Sequence, residues 1–231
     1  QSRDQAGNDS EFSSLSSSTQ DASAPATTVE ALPALVNDPA FALAWAGSDA
    51  ASGLAGVQLF WSKDGAPFLQ LEGGPFTTSP IPFDATAHGG DGQYAFYTLG
   101  TDAVGNAEAA PGTADAQVAL DTAAPEAPAL ASLPGFTAGT AREIAWTAAD
   151  ATSYQAQAAT DAAFTSLVDD SGWIGTAAHT FTGLADGQSY FYRVRSRDAA
   201  GNASAFSAAQ ASTQDASAPA TAAAALPAIT A

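Results

Sequence analysis

The side chains able to do chemistry in this sequence are, for the most part, oxygen donors. Among 231 residues there are 24 Asp or Glu against six Lys or Arg, two His, no Cys and no Met, for a formal charge of −18. Such a surface repels nucleic-acid phosphates and anionic lipid and favours cations. Carboxylate, amide and backbone carbonyl oxygens suit Ca2+, which takes about six to eight of them. The candidate ligands are Asp21, Asp49, Asp102 and Asn106, then Asp91, Asp121, Asp150, Asp198 and Asn202, and last Asp186 and Asp215. They occupy the linker-like stretches "QDASAPAT" and "LDTAAPEAP" and turn signals such as "DAVGN" and "DAAGN". An Asp in "DAAGN" can simply cap its own turn through backbone hydrogen bonds. That explains Asp198 well and the linker aspartates Asp21 and Asp121 less well.

Other chemistries have thinner support. The absence of Cys excludes a disulfide framework and any Cys-based metal or redox site. His88 and His179 stand in unrelated contexts, and no G-x-S-x-G, H-E-x-x-H or glycine-rich phosphate loop occurs. Asp169 and Asp170 precede "SGW", which reads as a solvated turn rather than an acid/base couple. No catalytic activity is expected. Asn8 and Asn202 lie in N-x-S sequons and are candidate glycosylation sites. Arg193, Arg195 and Arg197 alternate along "YRVRSR", so they share one strand face. That stripe is either a docking surface for carboxylate, sulfate or glycan, or a ladder of guanidinium planes stacked on rings such as Phe206. Trp173 is a candidate sugar-stacking platform. Trp61 shares phase with Val57 and Leu59, which argues for burial.

These residues must be positioned by repeated elements. "SRDQAGNDSEFSSLSSSTQDASAPAT" (2–27) returns as "SRDAAGNASAFSAAQASTQDASAPAT" (196–221), identical at 19 of 26 positions. A weaker echo joins "DGQYAFYTLGTDAVGN" to "DGQSYFYRVRSRDAAGN". The sequence thus divides into the end of one module (1–20), two whole modules (21–121 and 122–214) and the start of another (215–231). Within the whole modules the apolar period is two: "FALAW" puts Phe41, Leu43 and Trp45 on one face, "VQLFW" does so for Val57, Leu59 and Trp61, and "YAFYT" alternates Tyr94 and Phe96. Gly and Asp in "SKDGAP", "EGGP", "GGDG" and "DAVGN" mark tight turns. Neither a run of 18 apolar residues nor a signal-peptide pattern is present.

Through "EIAWT", "SYQAQAATDAAF" and "FTGLADGQSYFYRVRSRDAAGNASAFS", the second module resembles a fibronectin type III domain. These stretches would be its second, its third, and its fifth to seventh strands. Leu184 and Tyr190 stand at the spacing which that family uses for the tyrosine that bonds back across the E–F corner. Through "WAGSDAASGLAGVQLFWSKDG" and "DGQYAFYTLGTDAVGNAE", the first module is similar to bacterial Ig-like repeats, with a longer loop region at 72–90. The resemblance implies an all-β chain of tandem β-sandwiches in an extended array. In such sandwiches the B–C and F–G loops lie where the chain enters. Asp21 would then meet Asp49, Asp102 and Asn106; Asp121 would meet Asp91 behind it and Asp150, Asp198 and Asn202 ahead; Asp215 would have Asp186 behind it. The implied function is a structural segment of a bacterial extracellular stalk, fibre or cell-surface adhesin, whose partners are further copies of the same repeat, with filament self-association and a glycan or surface ligand as further expectations. The alternative is an accessory glycan-binding module of a secreted polysaccharide-active enzyme.

Overall fold

The computed structural model describes residues 1–14, 17–18, 20–148 and 150–219. The chain separates into two compact units, Gln1–Ala34 with Asp38–Leu120, and Leu35–Asn37 with Asp121 onward. The start of a further module expected at 215–231 lies, from residue 220, outside the described residues.

In the first part of the chain, runs of alternating apolar and polar side chains form β1 (Ala26–Val29), β2 (Leu35–Val36), β3 (Ala40–Leu43), β4 (Trp45–Ser48), β5 (Leu54–Lys63), β6 (Leu69–Gln70), β7 (Ile81–Asp84), β8 (Gly92–Asp102) and β9 (Ala116–Leu120). On one side of the first unit β1 pairs with β4, and β3 with β7, all antiparallel. On the other, β9, β8, β5 and β6 run side by side in that order. Phe83 of β7 meets Phe96 of β8 edge to face at 5.0 Å, which places the core between the two layers. Leu43, Val57, Leu59, Ile81, Tyr94 and Val118 fill it. Along β8 burial alternates strictly, so the phase that buries Tyr94 and Phe96 also carries Asp102, at the strand's end, inward.

The second unit repeats the plan with β10 (Ala129–Leu130), β11 (Phe136–Ala138), β12 (Arg142–Thr147), β13 (Ser153–Ala159), β14 (Leu167–Asp170), β15 (Ala178–Phe181), β16 (Ser189–Arg197) and β17 (Gln210–Asp215). One sheet has the order β10-β12-β15, the other β11-β17-β16-β13-β14. Between them lie Ile144, Trp146, Tyr154, Phe181, Leu184, Tyr192 and Val194. The chain is therefore all-β, with two sandwiches of Ig-like and fibronectin type III-like plan, antiparallel but for the parallel pair β11 and β17 in the second.

The Tyr190 hydroxyl accepts a hydrogen bond from Ala185 N at 2.9 Å and so closes the corner before β16. Replacing Tyr190 by Phe strands that amide, with an expected loss of about 1–3 kcal/mol in urea unfolding. A loss below about 0.5 kcal/mol would mean that the amide finds another partner.

The expected run through Trp45 is interrupted at Ala44, where β3, paired with β7, gives way to β4, paired with β1; Trp45 stands opposite the buried Val29, and its indole N–H donates to the Thr78 carbonyl. Three local expectations are corrected. The 72–90 stretch is not wholly loop: it contains β7 and a 3-10 turn, Ala85–His88, capped by the Asp84 carboxylate and ended by Gly89 at φ 98°. Asp169 and Asp170 lie on edge strand β14, not in a turn. The last strand of the second unit is Gln210–Asp215; "SAFS" before it is held to β16 through two serines, Ser204 donating its N–H to Ser196 O and accepting Ser196 N at its hydroxyl, and Ser207 doing the same with Val194.

Candidate metal centre

Asp21, Asp49 and Asp102 come together in the first unit, each offering one carboxylate oxygen, all within 4.8 Å of one another. Three separate pieces of local chemistry place them. Asp21 Oδ1 accepts Ser23 N and so bends the segment ahead of β1. Asp49 Oδ2 accepts the amides of Ala51, Ser52 and Gly53 and winds the turn before β5. Asp102 Oδ1 accepts the amides of Val104, Gly105 and Asn106, and its Oδ2 accepts the Asn106 side chain at 2.7 Å. Asn106 Nδ2 also reaches the Asp21 carbonyl at 3.3 Å, and Ser52 N bonds Asp21 Oδ2, so the three pieces are stitched together.

The electrostatics are those of a prepared anionic cradle. The Ser52 bonds hold the Asp21 carboxyl below its ordinary range, although the Asp102 charge pushes it the other way. For Asp102 the largest influence is burial, which raises it; the bonds from Asn106, Val104 and Gly105 outweigh this and leave it lowered. All of these bonds favour the charged form. Asp21 and Asp102 are thus each favoured as carboxylates by their own bonds, although like charges repel.

In the second unit the same turn is built again. Asp198 Oδ1 accepts Gly201 N and Asn202 N, and Asn202 Nδ2 bonds both Asp198 Oδ2 at 3.0 Å and the Asp121 carbonyl at 2.8 Å. Asp121 Oδ1 accepts Ala123 N, as Asp21 accepts Ser23 N. Asp121, Asp150 and Asp198 line one open cleft of about 440 Å³ with Pro125 and Glu126. Among the described residues, only the first unit draws three carboxylates as close as 4.8 Å. Asp150 is exposed with a left-handed backbone, φ 55°.

The remaining candidates have local settings of their own. Asp91 sits at an exposed bend before β8. Asp186 accepts Ala216 N and the Ser217 hydroxyl, while Asp215 ends β17 with its carbonyl bonded by Gly139 N. Asn8 is exposed and repeats the turn with Asp4, its Nδ2 donating to Asp4 Oδ2 at 3.0 Å. The Asn202 amide is already engaged twice, so a glycan on Nδ2 would displace one of those bonds.

Strand β16 carries Arg193, Arg195 and Arg197 on its outer face. Arg193 lies between the Phe164 ring at 4.0 Å and the Phe206 ring at 3.9 Å. Arg195 lies between Phe206 and Trp173, and Arg197 covers Trp173 at 4.4 Å. Rings and guanidiniums therefore alternate. Trp173 is a rung of this ladder, its faces taken by cations rather than free for a sugar. Behind the ladder, Gln157 accepts Arg193 and Gln155 accepts Arg195, and both amides donate to Asp170. Burial raises the Asp170 carboxyl, but those amides and the Arg195 charge outweigh it and hold it low. The stretch expected as the third strand ran to Phe164, but β13 ends at Ala159, and Phe164, at φ 56°, reaches the ladder from the loop beyond it, so strand phase gave no signal of its place there. The two histidines are ring partners, His88 of Trp61 at 4.4 Å and His179 of Phe181 at 4.7 Å.

No family model and no curated protein matches the chain. Solved structures do match. The chain is similar to the fibronectin(III)-like modules of Clostridium thermocellum CbhA, at 8% identity over 83% of this chain and 95% of that chain, with a TM-score of 0.43. It is similar to the FN1–FN3 domains of chicken CNTN1, at 11% identity over 82% of this chain and 64% of that chain, with a TM-score of 0.46. Three domains of titin match at 16% identity over 82% of this chain and 66% of that chain, again with a TM-score of 0.46.

Proposed function

We propose that this chain is a structural segment of a bacterial extracellular stalk, fibre or adhesin, a spacer or filament subunit built from repeated sandwiches, and that Ca2+ binds the acidic turns of its modules. The spacer reading is supported by the internal repeat and by two sandwiches of one plan. The cation reading is carried by one observation, the convergence of Asp21, Asp49 and Asp102 within 4.8 Å. Ca2+ lies about 2.3–2.6 Å from each oxygen, so oxygens up to about 5 Å apart can share one ion. Among the described residues Asp49 Oδ1 accepts no hydrogen bond and Asp102 Oδ2 accepts only Asn106, so both keep lone pairs for a metal. A divalent cation there would cancel the repulsion among three carboxylates. Asp121, Asp150 and Asp198 are the corresponding set in the second unit.

Unfolding of the whole chain in Ca2+ and in EDTA tests this. At free Ca2+ a hundredfold above its dissociation constant, stability is expected to rise by about 2.7 kcal/mol. Asp49→Asn and Asp21→Asn are expected to weaken the calorimetric affinity at least about tenfold, since each removes a ligand charge. Identical unfolding in both buffers, with no binding heat, would rule out the cation. Full-length sequence lacking further copies of the repeat would count against the spacer.

A further inference from the structure

From a cleft on the solvent face of the first unit, we propose a binding site for an uncharged carbohydrate. The inference stands apart from both the spacer and the cation, since the site is on the β9-β8-β5-β6 sheet and shares no residue with the acidic turns. The floor arises from strand register. Ala95 of β8 pairs with Ser62 on β5 and Gln117 on β9, and all three side chains belong to the outward phase. A methyl group between the longer outward neighbours Gln93 and Tyr97 leaves a dent in the sheet. Phe68 from the β5–β6 turn and Thr113 from the segment before β9 raise its walls, giving a cleft of about 340 Å³.

The chemistry of the lining selects the ligand. In a chain with 24 acidic and six basic residues, no side chain lining this cleft is charged. Lys63 and Asp64, which follow Ser62, pair with each other at 2.6 Å. The polar groups are hydroxyls and primary amides, and among the described residues the side-chain amides of Gln93 and Gln117 have no hydrogen-bond partner. Primary amides donate and accept at once, as paired sugar hydroxyls require. The apolar wall is aromatic: Phe68 leans on Tyr97 at 4.6 Å, and Tyr97 stacks on Phe60 at 5.0 Å and 13°. Phe68 keeps 37% of its surface exposed, enough to meet the C–H face of a pyranose ring. Anionic polymers have no cation here to bind. An aliphatic ligand would strand the amides, which a polyhydroxylated one satisfies. The volume lies at the small end of ligand sites, about 300–1,000 Å³, which suits one or two sugar units of a longer chain.

The test is calorimetric titration of the whole chain with cellohexaose, xylohexaose and mannohexaose, and with an oligogalacturonate as the charged comparison. At least one neutral oligosaccharide is expected to bind saturably with a dissociation constant of about 1 mM or tighter. Phe68→Ala and Gln117→Ala, both at exposed positions that leave the core intact, should each weaken binding about tenfold, the size of one lost stacking or paired hydrogen-bond contact. Ala95→Leu, which fills the dent, should abolish it. Trp173→Ala, in the arginine ladder, should leave the affinity unchanged. Absence of saturable binding by all three neutral sugars would overturn the proposal. So would a preference for the galacturonate, or undiminished binding by Phe68→Ala, Gln117→Ala and Ala95→Leu.

Discussion

Replacing Trp146 by Ala is expected to cost about 3–5 kcal/mol in urea unfolding followed by far-ultraviolet circular dichroism. Its side chain is 4% exposed, meets Tyr154 edge to face at 5.5 Å, and sits in the cluster of Ile144, Phe181, Leu184 and Tyr192. Most of the cost is the cavity left between sheets that are each tied by their own hydrogen bonds and cannot close over it. The indole N–H is buried without a hydrogen-bond partner among the described residues. Trp146→Phe therefore loses packing alone and should cost distinctly less. A loss under about 1 kcal/mol for Trp146→Ala would show that the ring does not belong to the core.

Phe96→Ala is the counterpart in the first unit, with an expected loss of the same size, about 3–5 kcal/mol. Phe96 is fully buried and organises an aromatic cluster: Phe83 at 5.0 Å and 82°, Phe41 at 6.1 Å and 80°, Tyr94 at 6.2 Å and 10°. Edge-to-face pairs add about 0.5–1.5 kcal/mol each beyond the area they bury, so truncation removes transfer energy and ring pairing together. Phe96→Leu keeps most of the volume and loses the quadrupole, and the difference between the two variants isolates the cavity. If Phe96→Ala left the urea midpoint unchanged, Phe83 and Phe96 would not be bridging the two layers.

The strands were legible wherever a two-residue period ran uninterrupted. "YAFYT" announced the inward phase of β8, and that phase, carried on to Asp102, is what buries a carboxylate at the strand's end. "YRVRSR" likewise put three arginines outward on β16. The change of pairing at Ala44, from β7 beside β3 to β1 beside β4, had no local signal, because neither neighbouring residue marks it. The period failed at Asp169 and Asp170, since an edge strand exposed on both faces has no apolar alternation to betray it. Phe68, between β5 and β6, and Phe164, beyond the end of β13, carry no strand phase, and there a ring finds its partner through the path of the chain.

Sequence alone was enough to determine the class of fold, the repeat and the predominance of carboxylate oxygens among the polar groups, because alternation, turn residues and composition are local properties of the chain. The convergence of Asp21, Asp49 and Asp102, the interleaving of Trp173 with arginines, and the dent over Ala95 were decided only by tertiary structure. Each depends on residues far apart in sequence meeting at distances of a few ångströms, set by the register between strands and the course of the turns. A one-residue slip in either would invert the faces and dissolve all three.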